Sequence, residues 1–429
     1  MTAIPRLPPM RPAAAVALAC LAAVTLAACS GSTVVQTPPS TSAPAEAVAL
    51  PDDGVLRIGV LLPLTGPGAE FGAAMIEAVE LAVDEINEAG GVRLQQIVRD
   101  EGAGTDTALR SLDELLAADV DAIIGPASST VAGAVVPATT EAGVLTCSPT
   151  ASAMSLDELP DRNLFVRTIP SDSLQAAAIA TLVEQSGEQR VSVLYLDDSF
   201  GRPLAEAMRA QLGSAADVVS FVPYATDDVD YADEAGRSVR SGARATVVIG
   251  DSTAGPRMVD ALFGTAGLEG DVFVNDAMRV PATTSIYARL GPEALRRLEG
   301  VSPVSVSSTP AFIGAYTDRT GSVPALFAGN AYDCVNLIAL AAASSGSTAA
   351  RTLAGRIGDI SSIGNRCSTY ADCKAELDVA RNIDYEGAGG QLEIGTNGDP
   401  QRGVFDVFVF DDDGRDRTSN TDPQVVVGR

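Results

Sequence analysis

From Val55 the chain reads Val-Leu-Arg-Ile-Gly-Val-Leu-Leu62, an almost unbroken apolar stretch. It continues into Pro63-Leu-Thr-Gly-Pro-Gly68 and then into a segment where Met75, Val79, Ala82 and Ile86 recur before Gly90-Gly91. An apolar run of this kind is a strand buried on both faces. The Gly/Pro cluster is a loop, and the recurrence at helical spacing with a Gly-Gly stop is an amphipathic helix. A strand passing directly into a helix of this length belongs to a parallel α/β sheet, and the loop at its carboxyl end is where such sheets bind ligands.

The same alternation continues along the chain. Ala122-Ile-Ile-Gly125 reads as a strand, residues 130–141 as a helix and Val144-Leu-Thr-Cys147 as the next strand. A helix over 174–185, a strand over 191–195, a helix over 203–212 and strands over 218–222, 245–249 and 272–274 follow, which predicts parallel sheets flanked by helices. Ile169-Pro-Ser-Asp172 breaks the pattern and marks a domain boundary. The tail, Gly390 to Pro400 followed by Val404-Phe-Asp-Val-Phe-Val-Phe410, reads as a hairpin turning at Asn397-Gly398.

Before Val55 the chain carries Arg6 and Arg11, an apolar run over 13–24, and Leu26-Ala-Ala-Cys29. This is a signal peptide over 1–28. Its cleavage site resembles the lipobox of bacterial lipoproteins, which makes Cys29 the lipidated first residue. Residues 29–54, mostly Ser, Thr, Pro and Ala after the cysteine, form a flexible tether. A net charge of −26 opposes binding to nucleic acid and to anionic lipid surfaces. With no histidine and Lys374 as the only lysine, Ser-His-Asp triads, Cys-His pairs and His-ligated zinc are excluded. Asp197 and Asp198 point opposite ways on an extended segment, a poor acid–base pair.

Cys20 falls in the signal peptide, leaving Cys147, Cys334, Cys367 and Cys373. An even count in an exported protein favours disulfides. Cys367 and Cys373 sit in one Ser/Thr-rich loop and suit a local bridge, and Cys147 with Cys334 follows by elimination, buried free thiols being the alternative for both. No Cys-x-x-Cys pair exists for a metal site.

Three strand ends carry polar groups suited to a ligand. Gly125-Pro-Ala-Ser-Ser-Thr130 opens a helix, where Ser128 and Ser129 are N-caps or, with free backbone N–H groups, a seat for a carboxylate. Cys147-Ser-Pro-Thr-Ala-Ser152 is a polar turn, and Asp276 follows a short strand. Phe71 and Phe200 lie in loops beside Gly72 and Gly201, either core or pocket wall.

Together, the Gly66-Pro67, Ala69 and Phe71-Gly72 loop, the Ser129 position and the 149–152 turn resemble the type I periplasmic binding proteins. The resemblance is greatest to the branched-chain amino acid and amide receptors of ABC importers, and it covers about 55–415. It implies two Rossmann-like lobes, α/β with parallel sheets flanked by helices, joined by a hinge crossed three times. The boundaries it suggests are 55–170 and 303–385 for the first lobe, and 171–302 and 386–429 for the second with the tail. It further implies that Ser129 holds the ligand α-carboxylate and Thr150 offers a carbonyl to its ammonium. Ser152 would hold the ligand backbone, and Asp276 would pair with the ammonium. Phe71, Phe200 and Tyr332, which opens a helix, would close over the side chain. Where a further tyrosine is common in the family, this chain has Asp251-Ser252, so leucine specificity does not carry over. The implied protein is not an enzyme, needs no cofactor or metal, and acts as a monomer with ABC permease subunits, lipid-anchored to the outer face of the cytoplasmic membrane. The same shape also serves receptors or sensors for amides, urea or aromatic acids.

Overall fold

The apolar run at Val55–Leu62 becomes strand β1 and the Met75 stripe becomes helix α1, Ala69–Ala89, in the computed structural model of the chain. The structure describes residues 54–66, 68–213, 215–228, 230–279, 284–303, 309–419 and 422–428. The signal peptide, Cys29 and the tether as far as residue 53 lie outside the described residues, as does Pro67.

Two sheets organise the chain. The first joins β1 to β2 (Arg93–Asp100), β3 (Ala122–Ile124), β4 (Leu145–Ser148) and β5 (Phe165–Arg167), all parallel, in the order β2-β1-β3-β4-β5. The second contains β6 (Arg190–Leu196), β7 (Asp217–Tyr224), β8 (Ala245–Ile249), β9 (Asp271–Val274) and β10 (Leu298–Pro303), in parallel order β7-β6-β8-β9-β10. A short pair, β11 (Asn365–Cys367) with β12 (Ile383–Tyr385), stands apart. Strands β13 (Arg402–Val409) and β14 (Gln424–Gly428) extend the second sheet antiparallel beyond β10.

The first lobe is built around α1. Met75, Val79, Ala82 and Ile86 are buried in one core with Val335, Ile338 and Ala339 of helix Ala328–Ser345. In the second lobe, helices α4 (Asp172–Ser186) and α5 (Gly201–Leu212) cover one sheet face. Helices α6 (Ala232–Arg240) and α7 (Ala254–Gly264) cover the other. Between α1 and α4 lie α2 (Thr105–Leu116) and α3 (Ser129–Ala142), which belong to the first lobe. Strand β2 shows no apolar run in sequence because it is an edge strand, with one fully buried residue, Leu94. Among the described residues no helix is long and apolar enough to cross a membrane.

The chain passes between lobes after β5, after β10 and before β13. The third passage lies further along than the 385/386 boundary expected from sequence. Tyr385, Ala388, Leu392 and Ile394 still pack in the first core. Buried Asp333 holds them there, accepting from Tyr385 Oη, Ala388 N and Gly389 N at 2.7 Å each. The tail keeps the expected turn at Asn397-Gly398, with Gly398 at φ +80°, closed by the Ile394–Pro400 bridge and by Gly395 N donating to the Asp399 carbonyl at 2.8 Å and Gln401 N to the Glu393 carbonyl at 3.0 Å, but this pairing is short. Strand β13 pairs instead with β10 and β14, because its alternating Phe405 and Val407 fill the second lobe's core.

Disulfides join Cys147 of β4 to Cys334 of helix Ala328–Ser345, and Cys367 of β11 to Cys373 of helix Tyr370–Asp378.

Candidate functional site

In each lobe the parallel strands run in the order 2-1-3-4-5, so the connections leave in opposite directions between the first and third strands. The crevice beyond the carboxyl ends at that switch point is the expected ligand site. In the first lobe the loops after β1 and β3 flank it. Two glycines allow the close approach. A Cβ at Gly72 would lie 1.7 Å from the Pro63 carbonyl oxygen, and one at Gly125 would lie 1.9 Å from that of Leu61.

A cavity of about 530 Å³ opens here, lined among others by Phe71, Met75, Glu101, Ser128, Thr150 and Phe327. Phe71 meets Phe327 edge to face, centroids 5.9 Å apart. Phe327 stands at φ +68°, a left-handed conformation that costs a bulky residue on the order of 1–3 kcal/mol and tends to mark ligand sites. No sequence signal pointed to Phe327, whose role depends on where helix Ala328–Ser345 lands.

The amino end of α3 is more occupied than its sequence implies. The buried carboxylate of Glu101 accepts from Ala127 N at 2.7 Å and Ser128 N at 2.8 Å, taking donors expected to remain free. Burial pushes the Glu101 carboxyl up, against those two donors. Ser128 Oγ caps Val131 N at 3.4 Å. Ser129 Oγ accepts from Ala153 N at 3.2 Å, and Thr150 Oγ1 donates to the Ala127 carbonyl at 2.7 Å. The two polar loops are therefore tied to each other. The Ser129 and Thr130 amides remain as first-turn donors with no acceptor found among the described residues.

A second cluster sits where the lobes meet. Arg167, fully buried, bonds Asp399 Oδ1 through Nε at 2.7 Å and Asp157 Oδ1 through Nη2 at 2.6 Å. Its Nη1 donates to the carbonyls of Ala151 and Ala153 at 3.3 and 3.2 Å, fixing the turn that carries Ser152. Asp172 N donates to the Ser152 carbonyl at 2.8 Å, and the Ser152 hydroxyl bonds the Asp172 carboxyl. Burial, then the charge of Asp276, pushes Asp172 up to about 7, against Ser152 and Arg167. Burial also raises Asp276, although Gln175, Asn275 and Ala277 N donate to it. Ser152 and Asp276 thus meet through Asp172, which sequence reading passed over because a helix-opening Asp is an ordinary N-terminal residue.

Two expected contributors, Tyr332 and Phe200, sit elsewhere. Tyr332 does not open its helix, which starts at Ala328. It is 2% exposed, donates to Glu85 Oε2 at 2.5 Å and stacks on Phe312, so it belongs to the first core. Phe200 precedes α5 and rests against the second core, away from the cavity of Phe71. Asp251, where a tyrosine was missing, caps α7 by accepting from Thr253 N at 2.8 Å and Ala254 N at 2.6 Å. Asp197 pairs with Arg202, while Asp198 caps α5.

Burial lifts both Asp172 and Asp333 from 3.8 to about 7. Between pH 4 and 7 the folded protein keeps protons that the unfolded chain releases, so this contribution to stability is lost as pH rises. The loss is up to about 1.4 kcal/mol per group per pH unit. The melting temperature is expected to be higher at pH 5 than at pH 8, with the slope flattened in Asp333→Asn. Thermal unfolding across that range checks it, and a melting temperature rising from pH 5 to 8 contradicts it.

Two parallel α/β lobes, each with a switch point in its strand order and joined by three passages of the chain, define the fold of a two-lobed ligand-binding protein. The sequence profile of the periplasmic binding protein family matches residues 55–410, and the chain belongs to that family. It is 28% identical over 370 residues to the chemotactic signal transduction system substrate-binding protein BasB of Halobacterium salinarum, covering 82% of this chain and 86% of that one. It is 25% identical over 363 residues to a Leu/Ile/Val-binding protein homologue of Brucella melitensis, covering 83% and 92%. Among solved structures, the branched-chain amino acid transporter substrate-binding protein of Streptococcus pneumoniae, in complex with isoleucine, superposes with a TM-score of 0.67 at 22% identity, covering 87% of this chain and 100% of that one. A solute-binding protein of R. palustris in complex with benzoate superposes at 0.61 with 16% identity, covering 87% and 96%.

Proposed function

We propose that the protein is an extracytoplasmic receptor that captures an amino acid, branched-chain or otherwise apolar, between its lobes and delivers it to ABC permease subunits. The observation that carries this reading is the junction cluster, in which Ser152 of one lobe bonds Asp172 of the other, beside Asp276. Acidic groups there suit an ammonium, and the first-turn amides of Ser129 and Thr130 suit a carboxylate. Ser128, Thr150 and Phe71 line the adjoining wall. The lobes, with the sequence boundaries 55–170, 171–302 and 303–385 and the last passage after Ile394, would close by hinge motion. The ligand would stabilise the closed form by what it gains there. The signal peptide would direct export and be removed, and lipid on Cys29 would anchor the receptor to the outer face of the membrane.

A second reading, a receptor or sensor for aromatic acids, is favoured by the Phe71–Phe327 wall of the cavity. Asp276 separates the two. A ligand at a hundred times its dissociation constant adds about 2.7 kcal/mol of stability. In a thermal-shift screen, a stabilisation by L-amino acids that disappears in Asp276→Ala is expected. A shift with benzoate that ignores this substitution, and none with amino acids, would overturn the amino acid reading.

A further inference from the structure

Arg162 and Arg351 line one cavity of about 550 Å³ in the first lobe, which shares no residue with the cavity of Phe71. One side is helix Ala350–Ile360, where Ala354, Gly355 and Gly358 leave room, and the other is the loop before β5 with the turn at 394–398. Arg162, Asn163, Arg351 and Thr396 bring four polar side chains to it, and none of the four side chains has a hydrogen bond or ion pair among the described residues. In a chain with 55 acids to 29 bases, two arginines that meet no acid in one cavity call for an explanation. The carboxylates on the same segments are already engaged. Asp359 accepts from Arg356 Nη1 at 3.0 Å, and Asp161 accepts from Asn163 N at 3.1 Å and Phe165 N at 2.8 Å. Helix Ala350–Ile360 also opens with Arg351 and no acid in its first turn, so the positive end of its dipole adds to the two charges.

We infer that this groove is a second binding site, for a small dianion of the phosphate type held by the guanidiniums of Arg162 and Arg351, with the Asn163 amide and the Thr396 hydroxyl as further donors. The site is separate from the cleft between the lobes and does not depend on the amino acid reading. A guanidinium presents a planar fork of N–H donors that matches two oxygens of an oxyanion, and two of them balance two charges. A monocarboxylate would leave one arginine uncompensated. The volume exceeds that of one phosphate group, so a second phosphoryl group or an organic part also fits. The groove touches two of the three passages between the lobes. Leu164 and Val166 lie just before the first, and Ile394, Gly395 and Gly398 just before the third. Arg167 N already ties the two by donating to the Gly398 carbonyl at 2.9 Å. An anion bonded to Arg162 on one side and Thr396 on the other adds a second tie, so its binding stiffens the chain where the lobes are joined.

The test is calorimetric titration of the protein with inorganic phosphate, pyrophosphate and acetate, at slightly alkaline pH and constant ionic strength. The expected result is saturable binding of phosphate or pyrophosphate at one site, with acetate weaker by about tenfold or more. Arg162→Gln and Arg351→Gln should each weaken that binding by about tenfold or more. Both side chains are exposed and bond nothing in the protein, so the anion-free melting temperature of either variant should be unchanged. Arg93→Gln, an exposed arginine at the start of β2 on the opposite edge of the same sheet, is the control and should bind as before. Hydrogen exchange with the bound anion should slow over 162–167 and 394–400. No saturable binding of phosphate or pyrophosphate overturns the site. A loss as large in Arg93→Gln as in the other two overturns it as well, by showing only a diffuse attraction of charges. Exchange slowed only outside those segments places the anion elsewhere and overturns it too. None of these results touches the amino acid reading, and failure to bind any amino acid leaves the anion site standing.

Discussion

Cys147→Ala with Cys334→Ala is expected to destabilise the protein by about 3–5 kcal/mol. The bond closes a loop of 187 residues, for which the chain-entropy relation gives about 5 kcal/mol. Against a total stability on the order of 5–15 kcal/mol, that is a third or more. It should lower the melting temperature by roughly 5 °C. The bridge also ties β4, whose end carries the Ser152 turn, to the helix that follows Phe327, so affinity for the ligand that the proposed reading assigns should fall as well. Removing Cys367 and Cys373 provides the comparison. Their loop spans 6 residues, worth about 2 kcal/mol on the same relation, and lies away from the junction cluster. Urea unfolding of the two variants measures both losses. Equal losses, or a loss below about 1 kcal/mol for the long loop, would contradict the account.

Arg167→Ala is expected to cost about 3–5 kcal/mol, for a different reason. Its guanidinium is the shared partner of Asp157 and Asp399, and removing one member of a buried ion pair leaves charge that nothing compensates. The same guanidinium holds two carbonyls of the 151–153 turn. On the proposed reading the variant should therefore lose ligand affinity even at temperatures where it remains folded. Arg167→Met combined with Asp399→Asn should recover part of the loss, since it removes both charges. A double-mutant cycle on urea unfolding reads the coupling directly. Additive effects would mean that Arg167 acts through packing alone, and an unchanged affinity in the folded variant would separate it from the Ser152 turn.

Much of the fold was legible because its signals are local. Strand β1 is an apolar run buried on both faces, the α1 stripe repeats at helical spacing, and Gly90 stops the helix with a positive φ. The strand edges were harder. Strand β2 lies at the sheet edge and lacks the run that marks a central strand. Helix Ala328–Ser345 is buried nearly all round, so it has no polar face to set a period, and its start was read at Ala331, three residues late.

For the candidate site the division follows the same line. Serines and threonines at strand ends, an Asp after β9 and a Phe-Gly loop are properties of short segments, and the residues alone marked those loops as places to bind something. Only the tertiary structure decided that Glu101 takes the two amides just before α3, that Phe71 meets Phe327 and not Phe200, and that Tyr332 turns inward to Glu85. It also decided that Asp172 faces Asp276 across more than a hundred residues of chain. Propensity and periodicity are set by neighbours a few residues away. Which charge lies beside which, and which acceptor is left without a donor, is set by how two sheets and their helices close on each other.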